Sequence, residues 1–278
     1  MHWIIFLLLA LGGCSSLPTP AERAANARAL APGWDWSEWT DLDDRRLAWA
    51  KPGSADKPGP QVLVIEGDGF AFVTSSRPSL NPTPLNPVGL RIATALDEAP
   101  GVSAAYVARP CQYVQDPGCR QDDWTDGRYT QSVVDRYQRF LAARFPDTPL
   151  VLVGYSGGGL IAAGVAQRDP RVIGLVTVAG NIDVSPWLAH HRLPAMNRAV
   201  DPAANAGRLV GLPQVHLAGQ RDRVVPPSIA ESFARRSGID PDQSVRLVDA
   251  SHGCCWDQAA TAAVAEVLAD IKKGRESN

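Results

Sequence analysis

The segment Leu150 to Leu160, LVLVGYSGGGL, ends an apolar run in a serine hemmed by glycines and then turns toward helix. Val151, Leu152 and Val153 suit a buried strand, and Leu160 to Ala166 suits a helix with a small-residue face. Gly154-Tyr155-Ser156-Gly157-Gly158 fits G-x-S-x-G, and its setting between strand and helix is the one in which that pattern exposes a hydroxyl. The turn is tight enough to require small neighbours, which Gly154 and Gly158 supply. A plain glycine turn is the alternative, but the flanking elements favour a nucleophile at Ser156.

A serine hydroxyl is a poor nucleophile at neutral pH unless a base takes its proton. The chain has five histidines. His2 lies in an apolar leader, His190 and His191 in a proline-rich insertion, and His216 inside an apolar run where packing explains it. His252, in ASHGCCW, follows the last expected strand and falls in a loop. A base of this kind needs a carboxylate to hold its tautomer and stabilise the imidazolium. Asp222, in GQRDRVVPP, stands just past the preceding strand. Asp249 and Asp257 compete less well, being assigned to the last strand and the start of the final helix.

From about residue 35 onward the chain resembles the α/β-hydrolase superfamily, through GYSGG, GQRDRVVP and SHG and the strand order around them. The order Ser156, Asp222, His252 is that superfamily's order. The resemblance implies an oxyanion hole with donors worth about 2.7–4 kcal/mol each. The expected donors are the backbone N–H groups of Gly157 and of Asp68, in the turn EGDGF. Where the superfamily usually has His-Gly, this chain has Glu66-Gly67, a departure that bears on the second donor. Asp68 itself is expected either to repel anionic substrates or to hold a substrate amine.

These residues need a scaffold with turns at one sheet edge, and the pattern supplies it. WSEWTDL and RRLAWAKP read as two antiparallel strands joined near Asp43-Asp44. QVLVIEGDG (61–69), VSAAYVARP (102–110), the strand before Ser156, VIGLVTVAGN (172–181), VHLAGQRD (215–222) and VRLVDASH (245–252) follow. Helices are expected at 86–98, 128–145, from the serine to Arg168, near 227–237 and at 256–273. In the second, Val133, Val134, Tyr137, Phe140 and Leu141 mark the buried face. Strands alternating with helices imply an α/β fold: a mostly parallel central sheet with helices on both faces. Residues 182–213 break the rhythm and read as a small cap insertion. Trp124, Trp187 and Phe70 are candidate pocket walls, with the loops at 70–85 and 111–127. The four tryptophans between Trp34 and Trp49 read as packing residues, with a carbohydrate or membrane surface as the alternative.

The N-terminal MHWIIFLLLALGGC has an apolar run from Trp3 to Leu11, too short to span a bilayer core of ~30 Å. It fits the apolar region of an export signal. Leu11-Gly12-Gly13-Cys14 resembles the lipobox of bacterial lipoproteins, which implies a signal peptide over 1–13 and acylation of Cys14. Two or three acyl chains anchor where one does not. By the same resemblance Ser15 suits outer-membrane sorting, so the chain is expected in the cell envelope, facing the periplasm. Residues 14–33 read as a tether leading into a short helix, and 34–278 as the hydrolase domain.

Export leaves Cys111, Cys119, Cys254 and Cys255 in an oxidising compartment, where disulfides form. Three connectivities are possible. Cys111 and Cys119 flank a Pro117-Gly118 turn and could close on each other. Adjacent cysteines rarely bond, which leaves Cys254 and Cys255 the option of bonding across to the first pair. Zinc spacing and histidine partners are missing, so no metal site is expected.

The chain has 278 residues, 45% hydrophobic and 20% charged, with net charge −2. Its mixed charges offer no basic face for nucleic acid. About 260 residues after a leader suit one large α/β domain. The expected activity is a serine hydrolase with a small acyl substrate and no cofactor, a carboxylesterase first and a peptidase or amidase second. A binding or scaffold protein of the same fold is the rival outside enzymes. Haloalkane or epoxide hydrolases need Asp at position 156. Nothing in the sequence speaks to oligomeric state.

Overall fold

The computed structural model describes residues 17–54 and 57–276. The expected signal peptide, with Cys14, lies outside the described residues. An eight-stranded sheet has the order β1-β2-β6-β3-β7-β8-β9-β10. Its strands are β1 (Trp34–Thr40), β2 (Arg46–Pro52), β3 (Gln61–Ile65), β6 (Ser103–Val107), β7 (Leu150–Tyr155), β8 (Val172–Val178), β9 (Gln214–Gly219) and β10 (Val245–Val248). From β6 to β10 every neighbouring pair is parallel, and β1 and β2 add an antiparallel hairpin at one edge. A separate two-stranded ribbon, β4 (Phe72–Thr74) with β5 (Arg77–Pro78), was not legible in the sequence.

The central strands are buried on both faces, and alternate side chains feed two cores. Val62, Val64, Val151, Val153, Val176 and Leu217 pack with α2 (Val88–Glu98) and α8 (Asp257–Glu276). Leu63, Ile65, Leu150, Leu152 and Leu175 pack with α3 (Gln131–Arg144), α4 (Gly157–Ala166) and Phe233 of α6 (Pro227–Arg236). This is the continuous apolar run that a sheet covered on both faces requires. The predicted buried face of α3 lies wholly in the second core. A one-turn helix, α7 (Pro241–Ser244), precedes β10. Trp34 and Trp36 pack on the first core, Trp39 and Trp49 on the second.

Residues 20–30 form α1 (Pro20–Leu30), opened by a Thr19–Glu22 capping box. The helix docks on the body: Ala27 is fully buried, and Arg23 donates to the carbonyls of Asn81 and Thr83. The insertion after β8 begins with α5 (Val184–His191) and continues as loop and a 3-10 turn at Pro202–Asn205. Arg236 of α6 ties it down at its start and further along, pairing with Asp183 and Asp201 at 2.5 Å each. Among the described residues no helix is long and apolar enough to cross a membrane.

Each cysteine pair closes locally. Cys111 bonds Cys119, which the loop between them permits, and Cys254 bonds Cys255. The second bond corrects the expectation that adjacent cysteines would look across to the first pair. Cys111 is buried with Ala71 and Trp124, whereas Cys254 and Cys255 are exposed in the turn between β10 and α8. Cys255 takes a left-handed φ of 76°, the local turn that accompanies the adjacent bond.

Candidate active site

Ser156 sits between β7 and α4 with φ 50° and ψ −123°, a conformation costly for a residue with a side chain. The turn is held because the residues at 154, 157 and 158 have none. A Cβ on Gly154 would strike the backbone of Gly158 and Gly159, and one on Gly158 would strike the carbonyls of Ile65, at the end of β3, and of Glu66, just past it. Close contact with β3 therefore sets where the hydroxyl stands.

Asp222 follows β9 and its side chain is fully buried. Oδ1 accepts the N–H groups of Val224 and Val225 at 2.8 and 2.9 Å. Oδ2 is left for His252 Nδ1, at 2.8 Å. Since a carboxylate accepts, Nδ1 carries the proton and Nε2 is the acceptor facing Ser156 Oγ, 3.1 Å away. The loop bearing His252 is pinned through its carbonyl, which takes Tyr155 Oη at 2.9 Å and Trp256 Nε1 at 3.0 Å. Asp249 points away and pairs with Arg221 at the surface. His216 is buried between Thr177 and Gln214.

The turn after β3 explains the departure at Glu66. Its carboxylate is buried and accepts the N–H groups of Gly67, Gly89 and Leu90 and the hydroxyl of Tyr106. Glu66 thus caps α2 from outside and locks the turn to that helix. Burial pushes its carboxyl above the usual range, and these donors pull the other way. Gln112 braces the same turn by donating to the Gly67 carbonyl at 3.0 Å. Among the described residues, neither the Asp68 nor the Gly157 N–H has an acceptor.

The side chain of Asp68 leans over Gly157, so close that a Cβ there would overlap its Oδ1. Left alone, this carboxylate would oppose an oxyanion beside it. It is not alone: Arg109 Nη1 and Arg128 Nε each donate to it at 3.0 Å, and Tyr129 Oη donates as well. The Tyr129 phenol is pushed up to about 12, first by burial and then by the Asp68 charge. None of these three partners was legible in the sequence, because they come from 41 to 61 positions away with no local pattern.

A cavity of about 940 Å³ opens onto Ser156 and His252. Phe70, Phe72, Leu85, Trp187, Leu188 and Met196 give it apolar walls, so the insertion after β8 forms one side and the 70–85 loop another. Trp124 is not in this wall; it packs with Ala71 and Cys111 behind the loop. A buried acid, an imidazole and a serine in one hydrogen-bonded line can move a proton off the hydroxyl as it attacks a carbonyl.

The chain has the α/β-hydrolase fold. It is similar to a Pyrococcus furiosus esterase, Pf2001, with 13% identity, TM-score 0.57, and 88% of this chain and 94% of that one covered. A structure described as a membrane phospholipase A, a bacterial virulence factor, matches at 19% identity and TM-score 0.60, covering 91% and 92%. The esterase domain of a Rhodothermus marinus protein matches at 18% and 0.54, covering 85% and 96%. No protein-family model and no curated protein matches the sequence.

Proposed function

We propose that the protein is a serine hydrolase that cleaves carboxylic esters, with Ser156 as nucleophile, His252 as base and Asp222 as its orienting acid. The observation that carries this reading is the unbroken line from Asp222 Oδ2 through both ring nitrogens of His252 to Ser156 Oγ. It is supported by the resting of Ser156 at the mouth of an apolar cavity and by the likeness of the fold to esterases.

In the proposed reaction His252 Nε2 takes the Ser156 proton while Oγ bonds to the ester carbon. The Gly157 and Asp68 N–H groups receive the developing oxyanion. The tetrahedral adduct collapses, His252 returns the proton to the leaving alkoxide, and an acyl-serine remains. Water then attacks with His252 again as base, releasing the acid and restoring the hydroxyl. The size and apolar lining of the cavity favour esters of apolar acids over peptides.

The proposal extends to location. Cys14 is acylated and holds the domain at the cell-envelope membrane, through a leader that lies outside the described residues. Incorporation of labelled palmitate in the producing cell, lost in Cys14→Ala, is the expected result.

The experiment for the chemistry is labelling of the purified protein with a fluorophosphonate, with the modified peptide read by mass spectrometry. Label on Ser156, absent from Ser156→Ala and His252→Ala, is expected. A folded protein that never labels would sink the hydrolase reading.

A further inference from the structure

We infer that Arg128 is an anion-recognising residue in the wall of the Ser156 cavity, and that the preferred substrates are esters carrying a carboxylate or phosphate group beside an apolar chain. The substrate statement rests on the reading of the cavity as an ester-hydrolase site. The binding statement does not.

By sequence, Asp68 makes this wall acidic. The tertiary structure reverses the sign. One carboxylate meets two guanidinium groups, since Arg109 and Arg128 both pair with Asp68. The trio keeps one net positive charge. Arg109 is spent on this arrangement: it is buried, its Nη2 donates to the Arg128 carbonyl, and it does not line the cavity.

Arg128 is placed differently. Its Nε goes to Asp68 and its Nη1 to the Thr125 carbonyl at 2.6 Å, but Nη2 has no acceptor among the described residues. The side chain is 8% exposed, and the residue lines the cavity. Its guanidinium stands near the rings of Phe72, Tyr129 and Trp187, with centroids at 6.0, 4.6 and 6.0 Å, all three of them cavity residues. Burial works against the charge, yet Tyr129 and Asp68 hold the guanidinium above its ordinary pKa.

Nη2 is not among the buried polar atoms left without a partner, so it opens to the cavity, and an oxyanion arriving there is bound by charge-assisted hydrogen bonds. The fork is already immobilised by its acceptors and flanking rings, so little side-chain entropy is lost on binding. Among the described cavity residues Arg128 is the only arginine or lysine. The acidic groups and His191 there are accounted for, and His252 is held by Asp222 and Ser156. Glu66 is capped by α2, Asp68 is paired, and His191 bonds the Val224 carbonyl. Asp126 is exposed at the rim, where salt and water screen it. Because Asp68 touches both Gly157 and Arg128, the anion would sit one carboxylate away from the reacting serine.

The test is equilibrium binding to Ser156→Ala protein, where turnover plays no part, by calorimetry with octyl phosphate, octanoate and octanol. At least one anion should bind about ten-fold or more tightly than the alcohol, the weight of one charge-assisted hydrogen bond. Which anion wins separates a phosphate from a carboxylate source. Arg128→Gln in the same background should erase the preference, and Arg128→Lys should restore part of it. Equal binding of all three ligands overturns the inference, as does a preference that survives Arg128→Gln. If Arg128→Gln does not fold, the three-ligand comparison and Arg128→Lys still decide. Anion preference in a protein that never reacts with fluorophosphonate would keep the site and discard the hydrolase; labelling without preference would do the reverse.

Discussion

Asp222 meets His252 with one oxygen while its other oxygen is held by the Val224 and Val225 N–H groups. The carboxylate therefore cannot rotate, and the imidazole it orients cannot change tautomer without losing a buried charge-assisted hydrogen bond. Asp222→Asn tests this directly. An amide facing Nδ1 as a donor moves the proton to Nε2, and kcat on an activated ester should fall about 10⁴-fold with the fold intact. Circular dichroism beside ester kinetics checks both halves, and a loss under ten-fold would remove Asp222 from the proposed machinery.

Gly158→Ala sets helix propensity against packing. Alanine is favoured over glycine in a helix interior by up to ~1 kcal/mol, and by less at the second residue of α4, where Gly158 stands. The alanine Cβ, however, would land on the backbone carbonyls of Ile65 and Glu66, which have nowhere to go. Overpacking of this kind costs about 1–3 kcal/mol, so the net effect should be destabilising by up to about 2 kcal/mol. Urea unfolding measures it, and activity should drop further because the serine turn and the Asp68 turn are pushed apart.

His216 gives stability a pH dependence. Burial lowers its pKa to about 4 in the folded chain. The unfolded value is near 6.5, so between those values the unfolded chain binds the extra proton. Its contribution is fully present above about pH 6.5 and lost as pH falls toward 4, on the order of 3 kcal/mol in all. Thermal unfolding from pH 7 to 4 should show the fall, and His216→Phe should flatten it. Parallel curves for the two proteins would contradict the assignment.

The two disulfides should separate by what they constrain. The Cys111–Cys119 bond closes a loop with a sequence separation of 8, worth about 2.5 kcal/mol by chain entropy. The Cys254–Cys255 bond encloses almost no chain and should add little stability, but it lies two residues from His252. Cys111→Ser with Cys119→Ser should lower the urea midpoint. Cys254→Ser with Cys255→Ser should leave it nearly unchanged and slow ester turnover several-fold. The opposite pattern would place the constraint elsewhere.

Much of this protein was readable in its sequence because the information is local. A buried parallel strand must be an apolar run, so β3, β7, β8 and β9 announce themselves, and α3 shows its buried face by period. Ser156, Asp222 and His252 each follow a strand, so one parallel sheet carries them to the same edge without any long-range signal. What sequence could not determine depended on groups meeting from far along the chain. Asp68 reads as an acid until Arg109 and Arg128 arrive from other loops and make its surroundings cationic. Glu66 reads as a replaced histidine until α2 places its N-terminal N–H groups around the carboxylate. The pairing of Cys254 with Cys255 likewise waited on where the fold puts Cys111 and Cys119. Strands and turns follow from short-range sterics and hydrophobic period, whereas the charge of a cavity wall is a sum over neighbours that only the folded chain brings together.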